Sequence, residues 1–588
     1  MEAKQQIQAK RFILIVALVQ GLALLLMHNW VIGIADLGRN YQLILPLYAV
    51  IVALPLSLMM LANQPRQLVV KLTLGFSIIA ACCAAYIGHV SYSKGLGDYA
   101  YYGMCWILGG CIFVAWFITL AFFEHYCQYQ HWFSRYEALF SFAWRNAVKV
   151  IVAGIFVGLF WGALGILGEL FKVLGIAFFS ELFSNRHFVY PATTLAFGLG
   201  LSLYAAKEEV LSEFKSAILQ VIGWLLPLVS FILLAFIITL PLKGLSTLWD
   251  TGYATSLMLS LLGLAVFLLN TAFQDGRQIH YPVWLLKLTN AGLLTMPLYA
   301  LLCMYAVYLR VHQYGWTQDR VWAASFVVMM AIYSFGYAFA AIKSVNVTQG
   351  WMNLTKTINV FAALVLVAML VLINSPLLNP TRIAVHSQLS RLLEGKVKAS
   401  QFDFKYLRFK GGTYGNDALQ AMLQDKGNPE LKAYALAALD EANLNYYSPP
   451  EKKINSVADL EAQFTIYPQG QSLESSFYEV LLADKKAGTL FLDCLSVVSQ
   501  QSSGCRALVI DLNADNVPEV VVFNPYGNRV YAKEGSAWRY TADMKISNYG
   551  EAKSKDELAL LESGDYKAIK PKWNQFQFGK DTFSIETK

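Results

Sequence analysis

Few places in this chain carry residue types and spacings that could do chemistry. Between the apolar runs ALVI (507–510) and VVVF (520–523) stands Asp511-Leu512-Asn513-Ala514-Asp515-Asn516-Val517-Pro518-Glu519. Oxygen side chains at positions 1, 3 and 5, a turn-tolerant residue at 6 and an acid at 9 resemble loops that ligate Ca²⁺, because a hard cation wants several oxygens on one tight turn. Asn516 can adopt the left-handed conformation that glycine usually supplies there. Asn513 lowers the ligand charge, and position 12 is Val522 instead of Glu. Asp511, Asn513, Asp515 and Glu519 are therefore the candidate Ca²⁺ ligands, and a polar strand-to-strand turn that holds no ion is the competing reading.

The cysteines offer a second possibility. Of eight, Cys82, Cys83, Cys105, Cys111, Cys127 and Cys303 lie in strongly apolar sequence, where cysteine acts as a small hydrophobe. Cys494 and Cys505 stand apart, as a candidate disulfide closing a short loop or as two buried thiols. His125, Cys127 and His131 are close together, but H-x-C-x3-H matches no usual metal spacing. No nucleotide-binding glycine loop, HExxH or GxSxG is present, so no catalytic set is read and an enzyme is not the favoured expectation.

The elements that would position these residues follow from composition. Of 588 residues, 56% are hydrophobic and 14% charged, with a mean hydropathy of +0.44. A soluble chain carries roughly a quarter charged residues, so a water-soluble particle is excluded. The charge is also divided: up to Asn374 there are 21 Lys+Arg against 13 Asp+Glu, beyond it 25 against 26, which makes +8 and −1. An apolar, basic membrane part precedes a nearly neutral soluble part, and nothing points to nucleic acid.

Crossing the hydrocarbon takes about 20 apolar residues. Eleven stretches between residues 12 and 374 meet or approach this, the weakest being 190–206, so ten to twelve spans are expected. The first, preceded by Lys4, Lys10 and Arg11, reads as an uncleaved helix, and Phe171–Phe183 as an interfacial or re-entrant one. With the N-terminus inside, inner segments carry 14 Lys/Arg and outer ones seven. That bias favours a cytoplasmic N-terminus, and eleven spans then put the C-terminal part on the other side. Gly154, Gly158 and Gly162 fall four apart on one face, suited to close helix packing within the bundle or to a dimer face. Gln20, His89, Asn270 and Asn290 are the main polar residues within apolar sequence. Glu124 and His125, near a span end, are expected at the solvated interface.

The expected fold is thus an α-helical polytopic bundle of about eleven spans (1–374), a helical juxtamembrane region (375–448) and a β-rich soluble subdomain (449–588). Helices are expected at 417–424, capped by Asn416 or Asp417, and at 429–443. Short alternating runs at 476–483, 489–493, 506–511, 518–524, 529–533 and 575–586 read as strands.

Three segments carry a family resemblance: FSFAWRNAVKVIVAGIFVGLFWGALGILGELFKVLGI, YAVYLRVHQYGWTQDRVWA (305–323) and SQLSRLLEGKVKASQFDFKYLRFKGGTYGNDAL. They resemble the polytopic bacterial membrane proteins filed as domain of unknown function 4153. The resemblance implies a bacterial inner-membrane location and hence a periplasmic C-terminal domain, but no catalytic residues. Trp316, Arg320 and Trp322 in the second segment are candidate interface anchors, because aromatic and basic side chains favour that depth. The expected function is an envelope-associated binding or sensing protein that meets the lipid bilayer and a periplasmic or envelope partner. The alternative is a transporter or flippase of a weakly charged or lipid-like substrate.

Overall fold

Apolar segments become helices in a bilayer because each backbone N–H and C=O must find its partner within the segment. A computed structural model describes residues 2–33, 41–91, 98–204, 218–243, 253–274, 276, 281–344, 351–425, 428–440, 456–486, 505–523, 528–535, 537–544, 563–564, 576–578 and 581–583. The chain divides into two compact units, Met1–Asn443 and Leu444–Lys588.

In the first unit the long helices are α1 (Glu2–Gly33), α2 (Tyr41–Met60), α3 (Arg66–Ser91), α4 (Asp98–Tyr129), α5 (Tyr136–Val173), α7 (Arg186–Tyr204), α8 (Leu226–Lys243), α9 (Ala254–Phe273), α10 (Val283–Tyr314), α11 (Gln318–Ser344) and α12 (Thr355–Ile373). The short α6 (Phe178–Ser184) joins α5 to α7. Helical structure leads into α8 from Ile218, broken by a turn at Trp224 and Leu225. Among the described residues, ten segments are long and apolar enough to cross a membrane, Ile218–Leu242 being one of them. The residues Phe171–Phe183 do not form one helix. Phe171 to Val173 end α5, Gly175 turns with φ +80°, and α6 follows.

The helix α7 falls short in apolarity, yet it packs as a span. A Cβ at Gly198 would lie 2.8 Å from the Ala17 Cβ, and one at Gly21 would overlap Pro191 and Thr194. As α1 rises from Ala17 to Gly21, α7 therefore descends from Gly198 to Pro191. The same reversal holds against α5, where Gly200 lies against Ala153 and Thr193 accepts a 3.1 Å hydrogen bond from the Trp161 indole. Nineteen residues make about 28 Å of helix, close to the hydrocarbon thickness.

A cap of four further helices follows α12: α13 (Pro380–Leu393), α14 (Phe404–Phe409), α15 (Gly412–Gln424) and α16 (Pro429–Asp440). Its core is Val385, Leu392, Phe404, Leu407, Leu419, Met422, Leu431 and Ala435. Asn379 caps α13, its side chain accepting from the Arg382 N–H at 3.0 Å. The helix α15 starts at Gly412, five residues before the expected 417. Glycines stand at its start: Gly411 and Gly415 both pack against the Leu407 carbonyl, an approach no Cβ would permit.

The cap touches two distant parts of the bundle. Gly412 lies against the Val90 carbonyl at the end of α3, and the Tyr414 and Tyr86 hydroxyls are 2.9 Å apart. On the turn between α10 and α11, the Trp316 N–H donates to Ser387 at 2.9 Å. The Gln318 side chain donates to Thr381 and to the Lys410 carbonyl. The ends of α3 and α10 therefore share one side. Between them run α4, α5, α7, Ile218–Leu242, α9 and α10. That is an even number only with α7 counted as a span, which brings the candidate crossings among the described residues to eleven.

In the second unit, α17 (Val457–Glu461) and β1 (Phe464–Tyr467) precede α18 (Ser475–Lys486). Then come β2 (Cys505–Ile510), β3 (Glu519–Phe523), β4 (Asn528–Glu534), β5 (Ala537–Met544) and a separate hairpin, β6 (Phe576–Phe578) with β7 (Asp581–Phe583). The sheet order is β1-β2-β3-β4-β5, with β1 parallel to β2 and the other pairs antiparallel. The run 476–483 is helical. Phe477, Tyr478, Leu481 and Leu482 share one face of α18 and join Ala507, Val520, Val522, Tyr531 and Trp538 in the core. The expected run 489–493 lies outside the described residues.

Candidate functional site

The turn between β2 and β3 brings Asp511, Asn513, Asp515 and Glu519 together. Two left-handed residues, Ala514 at φ +63° and Asn516 at φ +67°, coil the backbone. The Asp511 carboxylate accepts the N–H groups of Ala514 at 2.7 Å and Asn516 at 3.0 Å. Asp515 accepts the Val517 N–H at 2.7 Å. Glu519, 5% exposed, accepts the Leu512 N–H at 2.7 Å. The Asn513 Oδ1 accepts the Asp515 N–H, which fixes the amide so that its Nδ2 donates to Asp515 at 2.9 Å and Glu519 at 2.8 Å. That NH₂ group bridges the two carboxylates as a cation would. The turn is satisfied by its own donors, and among the described residues no group of three or more His, Cys, Asp or Glu is arranged to hold a metal ion. A Ca²⁺ ion on these oxygens would have to displace the Asn513 amide.

Cys505 opens β2, is fully buried and is disulfide-bonded. Cys494 lies outside the described residues. None of the six cysteines of the membrane part is in a disulfide.

Inside the bundle the polar groups are more organised than their sequence positions suggest. Glu124 is not at a solvated interface: it is 3% exposed and His125 fully buried. The next helix supplies the compensation. Arg145 donates to one Glu124 oxygen and Asn146 to the other at 3.3 Å. The His125 Nδ1 and the His131 carbonyl are 2.7 Å apart, so His131 offers its backbone here, not its ring, as a metal trio would require. A second network joins four helices. Asn270 donates to the Tyr337 hydroxyl at 2.8 Å, and Tyr337 donates to Asn359 at 2.6 Å. Asn359 donates to Asn270 and to the Tyr136 hydroxyl. One turn below, Lys356 pairs with Glu137 at 2.6 Å. Asn290 accepts a 2.8 Å bond from the Trp351 indole. Sequence reading named Asn270 and Asn290 but missed Asn359, Tyr337 and Tyr136, whose spacing gives no sign of convergence.

The remaining candidates separate. Among the described residues, a Cβ on Gly154, Gly158 or Gly162 would meet nothing within 4 Å. This corrects the expectation of packing within the bundle: α7 approaches α5 through Ala153 and Trp161, a different face. Close helix contact is instead made at Gly21, Gly198, Gly200 and Gly292. Trp322, one turn into α11 and partly buried, packs against Cys111, Ala115 and Leu370. Trp316 and Arg320 do belong to the junction. Arg320 donates to the Gly315 carbonyl at 2.6 Å and covers the Tyr314 ring at 5.4 Å.

An apolar groove of about 250 Å³ runs between α2 and α4, over Ala84 of α3. Leu45 to Leu56 on one wall and Cys105 to Trp116 on the other each cover about 16 Å of helix, half the hydrocarbon thickness. Val52 and Phe113, 44% and 49% exposed, stand at its mouth.

The bundle and its cap, up to the last residue of α15, coincide with a known family. Residues 14–424 match the model described as Domain of unknown function (DUF4153). The chain belongs to that family. The DUF4153 match takes in α13 to α15 together with the spans, as the hydrogen bonds between them do, and leaves the β-sheet unit outside. No curated protein and no solved structure matches the chain.

Proposed function

We propose that this DUF4153 protein is a bacterial inner-membrane binding or sensing protein whose β-sheet unit lies in the periplasm and engages an envelope partner. The observation that carries the reading is the latch between cap and bundle. The cap is held by side chains on turn backbone: Ser387 on Trp316, Gln388 on the Tyr314 and Trp316 carbonyls at 3.0 and 2.8 Å, and Arg391 on the Gln313 carbonyl at 2.7 Å. A region that served only as a tether would not need such a junction; one that passes a binding event to the spans would.

Three features support the orientation. With eleven crossings the cap would stand opposite the N-terminus, the Lys/Arg bias over the same spans favours a cytoplasmic N-terminus, and the disulfide at Cys505, whose partner we take to be Cys494, suits an oxidising compartment. The test of function is conformational. A spin-label pair across the latch, one on α15 and one on the turn between α10 and α11, should change its distance distribution when envelope extract is added. It should stay unchanged once the chain is cut after Asn443. An identical response in the cut chain would overturn the sensing role of the β-sheet unit.

The groove favours a second reading, in which the bundle handles a lipid-like substrate as a transporter or flippase. Lipid flux in proteoliposomes that Gly109→Trp abolishes, by filling the groove, would replace the first reading with this one.

A further inference from the structure

Small residues line the place where α2, α3 and α4 meet: Ala49 and Ala53, Ala84, and Gly109. Among the described residues, even a Cβ added to Gly109 would meet nothing within 4 Å. The space left over is the groove of about 250 Å³. Spread along about 16 Å of helix, that volume makes a rod roughly 4–5 Å across. Carbon atoms in contact stand about 4 Å apart, so the rod is one hydrocarbon chain wide. A helix with its side chains is about 10–12 Å wide and does not fit.

The two ends of the groove differ. Leu56 and Trp116 are the last residues of its two walls, and just there the Trp116 indole donates to the Ser57 hydroxyl at 2.8 Å. Both residues are buried, and Trp116 joins Met59, Met60 and Leu120 in the core. This bridge between α4 and α2 closes the groove. The other end points toward the cap. A Cβ at Gly88, near the end of α3, would lie 2.4 Å from the Tyr41 carbonyl oxygen at the start of α2, and the same end of α3 meets the cap at Gly412.

One turn above Leu45, the Gln42 Nε2 and the His89 Nδ1 are 2.8 Å apart. An amide NH₂ only donates, so Nδ1 accepts and the ring N–H is on Nε2. His89 is exposed, and that N–H makes no hydrogen bond among the described residues. The long side of the groove opens past Val52 and Phe113 onto what surrounds a span at that depth, which is hydrocarbon. From the level of Tyr41 to Leu56 the helix rises about 22 Å, more than half of the roughly 30 Å core, so a long extended chain is needed to reach the closed end.

We propose that the groove holds one acyl chain of a phospholipid from the cap-side leaflet, whose headgroup oxygens take the His89 N–H and whose chain end stops at the Trp116–Ser57 bridge. The proposal rests on the second reading above only in treating the groove as a lipid site; it does not require flux.

The test uses the full chain in liposomes that carry a palmitoyl phosphatidylglycerol with a diazirine either at the chain end or beside the carboxyl group. After irradiation, the adducts are mapped by peptide mass spectrometry. The chain-end probe should label Leu56, Phe113 and Trp116, and the carboxyl-side probe Leu45 and Cys105. Each should exceed by several-fold the labelling of Ile151, Ile155 and Leu159 on the exposed face of α5. Gly109→Trp, which fills the groove, should remove the excess, and His89→Ala should lower it several-fold. Labelling no stronger than on α5, or the same for both probe positions, would overturn the proposal. A groove left unlabelled is covered by protein, which overturns it as well, and an unchanged excess in His89→Ala would overturn the His89 anchor. Should Gly109→Trp not fold, the depth pattern in the unaltered chain decides by itself. Groove labelling in a protein that shows no lipid flux supports the site while removing the transporter reading. Flux with an unlabelled groove overturns the site and leaves that reading standing.

Discussion

Burying a carboxylate near the end of a membrane-spanning helix is tolerable only with a partner, and Arg145 is that partner for Glu124. Breaking a buried pair from one side leaves the other charge uncompensated, at a cost of about 3–5 kcal/mol. Arg145 keeps a quarter of its side chain exposed, which places Glu124→Ala at the lower end. Thermal unfolding in detergent should show that loss for the single variant, and a smaller one for the Glu124→Ala/Arg145→Ala double. A neutral single variant would mean that the pair is solvated. In the β-sheet unit Tyr478 makes a separate prediction. Its hydroxyl is buried without a hydrogen-bond partner, and burial, with a smaller effect of Glu461, pushes it up to about 12. A folded pKa above the unfolded value stabilises the fold fully below pH 10, and that stability is lost as pH rises from there through about 12. Tyr478→Phe should flatten this alkaline loss of stability without weakening the protein at pH 7. The pairing behind the first prediction was hidden in the sequence: Glu124 and Arg145 are 21 positions apart, and their neighbours do not distinguish a snorkelling acid from a buried one.

Among the elements, most spans, α15, α16 and β2 to β4 were legible because each shows one period over enough residues. The strands β1 and β5 and the short helices α14 and α17 were not read, α18 was read as a strand, and the span α7 was read only as the weakest, at 190–206. The helix α18 carries Phe477-Tyr478 and Leu481-Leu482, doublets four apart that make a helical face, but in a short window they also pass for an alternating strand. The span α7 is diluted by Arg186, His187, Pro191, Thr193 and Thr194. Its polar groups are hidden by packing, with Thr193 under Trp161 and Thr194 bonded to its own helix at 3.1 Å. Composition therefore understates α7, and only its neighbours establish its role. A residue larger than glycine on its α1-facing side should be costly: Gly198→Leu overpacks against Ala17, for about 1–3 kcal/mol or more. Gly158→Leu, on the bare face of α5, should change stability in the monomeric protein by less than about 0.5 kcal/mol. Equal losses at the two sites, measured by thermal unfolding, would sink the packing assignment.

For the whole molecule, parity is the property on which most else depends. No single span reveals it, because each is symmetric under reversal as far as apolarity goes. It emerges from a closed path: the cap bonds to the end of α3 and to the turn after α10, and the chain between must cross an even number of times. Without α7 that path would not close, and the cap could not reach Val90 and Trp316 together. Cysteines placed at Asn185 and Tyr204, the two ends of α7, should be labelled by an impermeant thiol reagent from opposite sides of the membrane. Reporter fusions at the two termini should likewise give opposite activities, with a periplasm-dependent reporter active only at the C-terminus. Labelling of both cysteines from one side would remove a crossing and break the path. Fusions active on the same side would do so as well, and would carry the cap to the face on which the N-terminus lies.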